Sequence, residues 1–333
     1  MKNIPVFYDP RQTAKNCGSF SPSAGKPVAV LKEWQRHKLP IEVRSFKPAT
    51  IDQLGAVLGH EFVQDVLTGS RANGFGNTSP DVGLSLPYTV GSMVAASLHV
   101  LKNGGVAVSP TSGFHHAGYE SASAFCTFNG LMVAAMAALK AGAKKIGILD
   151  LDEHYGNGTD NLIRHHKLET KIVHHTAGAM DWPKDNSKVH GNPYFAWLKL
   201  AMKDMRAEGV TLIIAQLGAD ACIDDPLGGN LTEFQLAYRD KMVFDFCAEN
   251  NIPLAWNLAG GYQTDEAGTI QPVLDIHTRS MDACVQVFVP DYVFEVATPS
   301  ALKSSKMEIE LERAKRRQPS TRSKVHRDRS ARS

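Results

Sequence analysis

The sequence predicts an α/β protein built on a mainly parallel sheet covered on both faces, and three observations predict it. Short apolar runs at 106–108, 146–151, 211–216 and 253–258 alternate with longer segments of helical character, the rhythm of strand–helix–strand units. The run I-G-I-L at 146–149 is apolar at nearly every position, as a strand buried on both faces is. His115-His116, Asp152/His154, Asp220 and Tyr262 each fall just after the carboxyl end of an expected strand, the edge where open parallel sheets bind ligands.

Taken in order, residues 4–8 read as a strand, 19–27 as a Ser/Pro/Gly loop and 28–36 as a helix. Thr50 and Gln53 form a capping box for a helix that continues through Leu58, Phe62, Val63, Val66 and Leu67. Residues 69–88 are rich in turn formers and too long for a plain connector, which suits a functional rim. A small-residue helix is expected at 90–102, stopped by Gly104 and Gly105, and a strand at 106–108. Residues 128–140 read as a helix with Gly142 past its end, then come strands at 146–151 and 172–175. Asn192-Pro193 has N-cap and first-turn chemistry for a helix to Glu208, with Gly209 as its stop. The strand at 211–216 delivers L-G-A-D. Thr232 and Gln235 cap a helix to Asn250, and the strand at 253–258 delivers A-G-G-Y.

The length of 333 residues accommodates one large α/β domain or two smaller ones, and 43% hydrophobic with 21% charged residues is ordinary globular composition. No run of 18 apolar residues marks a membrane span, and M-K-N-I-P-V-F-Y-D-P lacks the apolar centre of a signal peptide. Cys17, Cys126, Cys222, Cys247 and Cys284 contain no C-x-x-C pair, which points to a reducing, cytoplasmic setting and away from a cysteine zinc site. The net charge of +2 is uneven: from Lys303 onward eleven Lys/Arg face four Asp/Glu, +7, leaving −5 for the body. The segment 301–333, with a short helix at 307–317, is expected to be a disordered basic tail, either a solubilising terminus or a polyanion-binding arm with nucleic acid as partner.

The organising stretch is I-G-I-L-D-L-D-E-H-Y-G-N-G-T-D at 146–160. Asp150, Asp152 and His154 occupy alternate positions, and period two along a strand points all three the same way. Burying two carboxylates beside an imidazole is costly unless a divalent metal neutralises them. Asp152, His154 and Asp220 then offer two oxygens and one nitrogen with a fourth position open, the catalytic arrangement of zinc, and the same donors accommodate iron(II). Metal-activated water makes amide or ester hydrolysis the natural chemistry. His115 and His116 supply imidazoles to move the proton, Tyr262 supplies a hydroxyl to the oxyanion, and Asp150 and Asn157 remain to orient the imidazoles. Singly each has a bland reading: a surface His beside a salt-bridged Asp, an HH turn, a helix-capping Asp220, a G-G-Y turn with a packed aromatic.

G-F-H-H-A (113–117), A-F-C-T-F-N (124–129), D-L-D-E-H-Y-G-N-G-T (150–159), L-G-A-D (217–220) and A-G-G-Y (259–262) resemble, in order, the motifs of the histone deacetylase superfamily, which also includes acetylpolyamine amidohydrolases. The resemblance runs over about residues 4–296. It implies a single catalytic domain at 1–300 with the arginase/deacetylase three-layer α/β sandwich around an eight-stranded, mainly parallel sheet. It further implies that Asp152, His154 and Asp220 hold zinc, and that His116 is the main general base and acid with His115 as its electrostatic partner. Asp150 would pair with His115 and Asn157 with His116, the amide marking a class II-like chain. Tyr262 would bond the scissile carbonyl, and Phe125 and Gly261 would line the tunnel for an acyl-lysine stem.

Departures from the family pattern are also expectations. Tyr155 replaces a second His, Ala124 replaces the Gly before the tunnel Phe, and S-F-S-P-S-A-G-K-P stands where His-Pro-Glu is usual. Val173 and His174 replace a Ser-containing segment, which argues against a structural monovalent cation. Asp81 is the candidate for a substrate-gripping rim acid, and Trp182 is read as a core or surface residue rather than part of the mouth. The implied activity is deacylation of acetyl-lysine in a peptide or protein. The competing readings are a small-molecule amidohydrolase acting on acetylated polyamines, a silent acyl-lysine or nucleic-acid binding module, and a di-manganese ureohydrolase, for which the motif has too few carboxylates.

Overall fold

The computed structural model describes residues 2–182 and 192–292. Its strands are β1 (Ile4–Phe7), β2 (Ile41–Arg44), β3 (Val106–Ser109), β4 (Ile146–Asp150), β5 (Ile172–Thr176), β6 (Leu212–Gln216) and β7 (Leu254–Asn257). They form one sheet in the order β2-β1-β3-β7-β6-β4-β5, and every pairing is parallel. The sheet therefore has seven strands among the described residues, where eight were expected. β1, β3, β4, β6 and β7 are buried at every position, because helices cover both faces. The two edges differ: β2 is I-E-V-R and β5 ends V-H-H-T, polar sequences that discourage pairing with another chain.

The helices are α1 (Lys26–Arg36), α2 (Ile51–Leu58), α3 (His60–Thr68), α4 (Pro80–Asn103), α5 (Gly130–Lys140), α6 (Asn157–His165), α7 (Pro193–Ala207), α8 (Glu233–Glu249) and α9 (Gln271–Phe288). One layer packs α2, α3, α4 and α5 on the sheet through Leu54, Phe62, Val90, Met93 and Leu131, which meet Ala107, Ile148 and Ile214. The other packs α1, α8 and α9 around Trp256 of β7, whose ring meets Trp34 at 6.0 Å and Phe244 at 5.9 Å. Trp34 also donates its indole N–H to His277 O at 3.2 Å. α4 is long and apolar enough by composition to cross a membrane, but here it is a core helix whose Ser92 hydroxyl donates to Phe7 O at 2.6 Å.

Several expected boundaries move. The capping box of Thr50 and Gln53 forms, but the helix breaks at Gly59, which sits at φ +97, into α2 and α3. The expected rim loop is shorter, because α4 starts at Pro80 with Pro87 inside it; Ala49 N donates to Pro87 O at 2.8 Å and ties the segment before α2 to this helix. β2, α6 and α9 carry little sequence signal: β2 mixes charge with two apolar residues, and His277, Thr278 and Ser280 interrupt the buried face of α9. The basic tail from 301, with its helix at 307–317, lies outside the described residues.

The turn before α5 holds two non-glycine residues in the left-handed region, Ala124 at φ +46 and Phe125 at φ +65. A side chain there costs roughly 1–2 kcal/mol per residue. Replacing Ala124 with Gly relieves one of these, against the extra chain entropy glycine loses on folding. Ala124→Gly is expected to raise stability by about 0.5–1 kcal/mol, read from urea unfolding midpoints.

Candidate functional site

β3, β7, β6 and β4 are neighbours in mid-sheet, and the loops leaving their carboxyl ends converge. β4 ends at Asp150; Leu151 N makes a last bond to Gln216 O at 2.8 Å, and Asp152 and His154 lie on the loop beyond. The alternate-position pattern of 150, 152 and 154 thus runs past the strand end, and Asp150 turns to His115 instead of joining the other two. The loop after β6 brings Asp220, and one ligand atom each from Asp152, His154 and Asp220 lie within 4.8 Å of one another. His154 Nδ1 is 3.2 Å from Asp152 Oδ1 and 3.2 Å from Asp220 Oδ2. Glycines make the room: a Cβ on Gly260 would sit 2.1 Å from Asp220 Oδ2, and one on Gly218 2.4 Å from Asp220 Oδ1. Gly260 N instead donates to Asp152 Oδ2 at 2.8 Å.

Asp152 and Asp220 are both buried, so their charges are coupled. Burial opposes the charge on Asp152, yet His115 and the bond from His154 hold its carboxyl well below the usual range. Burial and the Asp152 charge push Asp220 up to about 7. Hydrogen bonds to these two carboxylates push His154 up to about 11. Without a metal, an imidazolium thus sits between two acids that share one charge deficit. A divalent cation on the same three atoms would discharge the proton and leave both acids ionised, so the donor set fits zinc or iron(II).

The two imidazoles lie side by side, ring centroids 4.0 Å apart, but answer to different partners. His115 Nδ1 is 2.7 Å from Asp150 Oδ2, and Asp150 Oδ1 also accepts from Gln216 Nε2 at 3.0 Å. Burial works against charge on His115, but Asp150 and Asp152 overcome it and push the group up to about 9. His116 Nδ1 is 2.7 Å from Asn157 Oδ1, an acceptor, so Nδ1 carries the proton and Nε2 is left basic. Burial and the neighbouring His115 hold His116 below the ordinary histidine value. One ring is kept charged and the other neutral.

A cavity of about 60 Å³ opens onto these groups, lined by His115, His116, Asp152, His154, Phe125 and Tyr262, with Leu227, Gly260 and Ser23 among the rest. Phe125 packs on Tyr262 at 5.6 Å and on Phe75 and exposed Phe20 toward the surface. Burial, then the charges of Asp152 and Asp220, push the Tyr262 phenol far above its usual value, so it remains a hydroxyl donor. Gly261, expected on the tunnel wall, is not there: at φ +143 its Cα faces Ala219, Val273 and Lys26, and Gly260 lines the cavity.

Sequence reading missed the residues that brace this arrangement. Asp225 accepts from Tyr262 N at 2.7 Å and Leu227 N at 3.0 Å, while Leu227 O is 3.2 Å from His154 Nε2. The D-P-L-G-G string was a readable turn signal. Fully buried Lys26 donates to Ala259 O at 2.9 Å, and burial lowers it to about 8 against the pull of Asp220 and Asp152. A lysine at a helix start gives no such signal. Other candidates lie elsewhere. Tyr155 donates its hydroxyl to Asp160, which also holds His174 Nδ1 at 2.6 Å. Asp81 accepts from Asn16 N at 3.2 Å in the first turn of α4 and does not line the cavity. Trp182 packs on Tyr194 and Trp197, also away from it. Val173 and His174 are on β5, whose last residue, Thr176, accepts from Gly156 N through Oγ1 at 3.2 Å.

The family model of the histone deacetylase domain matches residues 28–193, which includes both imidazoles, Asp152 and His154 but stops short of Asp220 and Tyr262. The chain is 30% identical over 176 residues to an acetylpolyamine amidohydrolase of Mycoplana ramosa, covering 46% of this chain and 50% of that protein. It is 31% identical over 186 residues to histone deacetylase 15 of Arabidopsis thaliana, covering 49% of this chain and 33% of that one. These matches thus span half the length of those relatives or less. The fold agrees over more of the chain: the HD domain of HDA15 superposes with a TM-score of 0.68 at 20% identity, over 89% of this chain and 92% of that one. An acetylpolyamine aminohydrolase from Burkholderia pseudomallei does so with a TM-score of 0.64 at 15% identity, over 86% and 99%. The matched family model and these relatives at about 30% identity place the chain in the histone deacetylase superfamily, and the solved structures agree with it in fold.

Proposed function

We propose that the chain is a zinc-dependent deacylase that hydrolyses an N-acyl amide, with acetyl-lysine in a peptide or protein as its substrate. The observation that carries this is the split pair of imidazoles facing the Asp152–His154–Asp220 donor set, with the Tyr262 hydroxyl in the same small cavity. Asp152, His154 and Asp220 would hold the zinc, which when bound polarises the acyl carbonyl and acidifies water. The remaining work belongs to side chains. His116, neutral with Nε2 free, takes a proton from the attacking water and returns it to the departing amine. His115 stays an imidazolium and Tyr262 stays a hydroxyl, so both favour the negative oxygen that develops on the carbonyl. Phe125 and Leu227 give the alkyl stem an apolar lining and limit entry of water.

A second reading keeps the site and changes the substrate to an acetylated polyamine, and the 30% identity to the Mycoplana ramosa amidohydrolase favours it. An acetyl-lysine peptide and N-acetylputrescine offered in parallel separate the two: turnover of the peptide supports the first reading, and turnover of the polyamine alone moves the assignment to the second. Hydrolysis of neither by zinc-loaded protein sinks both. The five free thiols suit a reducing compartment, and we propose the cytoplasm as the protein's location.

Tyr262→Phe is expected to lower kcat by about 10²–10³-fold with little change in KM, as loss of an oxyanion donor does. Asp220→Ala is expected to abolish stoichiometric zinc binding, measured by elemental analysis after dialysis. Because His154 carries a proton in the metal-free site at pH 6, zinc uptake there should release protons and tighten as pH rises, seen by calorimetry in buffers of different ionisation enthalpy. The acid limb of kcat/KM should lie below the ordinary histidine pKa of about 6.5, set by His116. Asn157→Asp places a carboxylate against that ring, favours the imidazolium, and should move the limb to higher pH.

A further inference from the structure

The two loops that bring Asp152 and Asp220 together leave the sheet side by side, after the last backbone bond between their strands. One nitrogen then takes over the pairing. Arg239 Nη1, on α8, donates to Leu151 O at 3.0 Å and to Gly218 O at 2.9 Å, using both of its hydrogens, one on each loop. Leu151 O belongs to the peptide group that ends at Asp152. Gly218 is two residues before Asp220 and lies directly under its carboxylate, where a Cβ would be 2.4 Å from Oδ1 and 2.8 Å from the Asp152 Cα. The guanidinium is itself held: Nε donates to Asp240 Oδ1 at 2.8 Å, and the Ser280 hydroxyl donates to Asp240 Oδ2 at 2.5 Å. Arg239 and Asp240 are both fully buried.

Burying an arginine is expensive, and apolar side chains of similar volume commonly fill such places at no loss of stability. What an apolar residue cannot do is turn two carbonyls toward a common point. A planar, fixed fork does this, and it fixes the spacing of its acceptors in a way a flexible ammonium does not. With both carbonyls drawn toward Arg239, the two peptide planes are set, and the carboxylates that follow meet His154 Nδ1, each at 3.2 Å.

We infer that Arg239 is a positioning residue for the metal centre: it sets the separation of Asp152 and Asp220 and so the affinity of the site for its cation. The inference rests on the metal-dependent reading above, but its readout is binding and not turnover.

The test uses the full chain, stripped of metal, with zinc affinity measured by competition against a chromogenic chelator and melting temperature recorded with and without zinc. Arg239→Lys keeps the charge and loses the fork. It is expected to weaken zinc by about 10–100-fold, the range typical of groups that orient metal ligands, and to shrink the zinc-induced rise in melting temperature. A residue that only packs would lower both melting temperatures equally and leave zinc affinity at the wild-type value, and that result overturns the inference. Should Arg239→Lys fail to fold, Ser280→Ala decides, since it frees Asp240 and loosens the guanidinium without touching either loop: weaker zinc binding supports the assignment and unchanged binding overturns it. Wild-type protein that takes up no zinc would overturn the metal-dependent reading together with this one. Tight wild-type binding with unchanged variants would overturn this one alone.

Discussion

Two carboxylates pressed together out of water, Asp152 and Asp220, set conditions that much of the surrounding chain exists to meet. Each buried charge is costly, and a like charge alongside adds to the cost, which is why one acid is held ionised and the other is pushed toward protonation. The nearby sequence follows from that. Gly218 and Gly260 are small because the carboxylate oxygens occupy the space a Cβ would need. His154, His115, Lys26 and Arg239 surround the pair with cationic groups of graded distance and purpose. The first shares the acids' own oxygens, the second reaches Asp152 at 3.5 Å, and the last two hold the carbonyls of the supporting loops.

The same economy of partners separates two histidines adjacent in sequence. Asp150 is a buried anion with a further donor in Gln216, so the ring it holds stays charged. Asn157 offers the same hydrogen-bond geometry without the charge, so the ring it holds stays neutral. Acid and base assignments are commonly made by pushing two equivalent groups apart in this way. Here the difference between a carboxylate and an amide achieves it, together with the field of one ring on the other.

The sequence was informative where chemistry and regular structure coincide. β3, β4, β6 and β7 are legible as apolar runs, and the sequence alone places the polar residues that follow them on one edge. The convergence of Asp152, His154 and Asp220, and of each histidine with its partner, follows from strand order, with β6 lying between β4 and β7. The failures have physical causes. The alternation expected of Asp150, Asp152 and His154 stops because the chain leaves the sheet at Asp150, after which side chains no longer alternate. Gly261 was mistaken for Gly260 because a sequence shows that two glycines turn the chain, not which of them faces the cavity. Lys26, Asp225 and Arg239 carry no sequence signal because each meets a backbone group far along the chain, Ala259 O, Tyr262 N and Leu151 O respectively, and a backbone group leaves no mark in the sequence.

The order of strands in the sheet carries a consequence for how the chain acquires its centre. Among the described residues β6 and β7 are the last strands in the chain, yet they fill the middle, between β3 and β4. Until they insert, β3 and β4 have no direct contact within the sheet, and the first 193 residues hold two of the three donors and neither the Gly260 amide nor Tyr262. Such long-range closure is slow relative to local helix formation. The three donors can therefore come together only at the step that joins the two halves of the sheet.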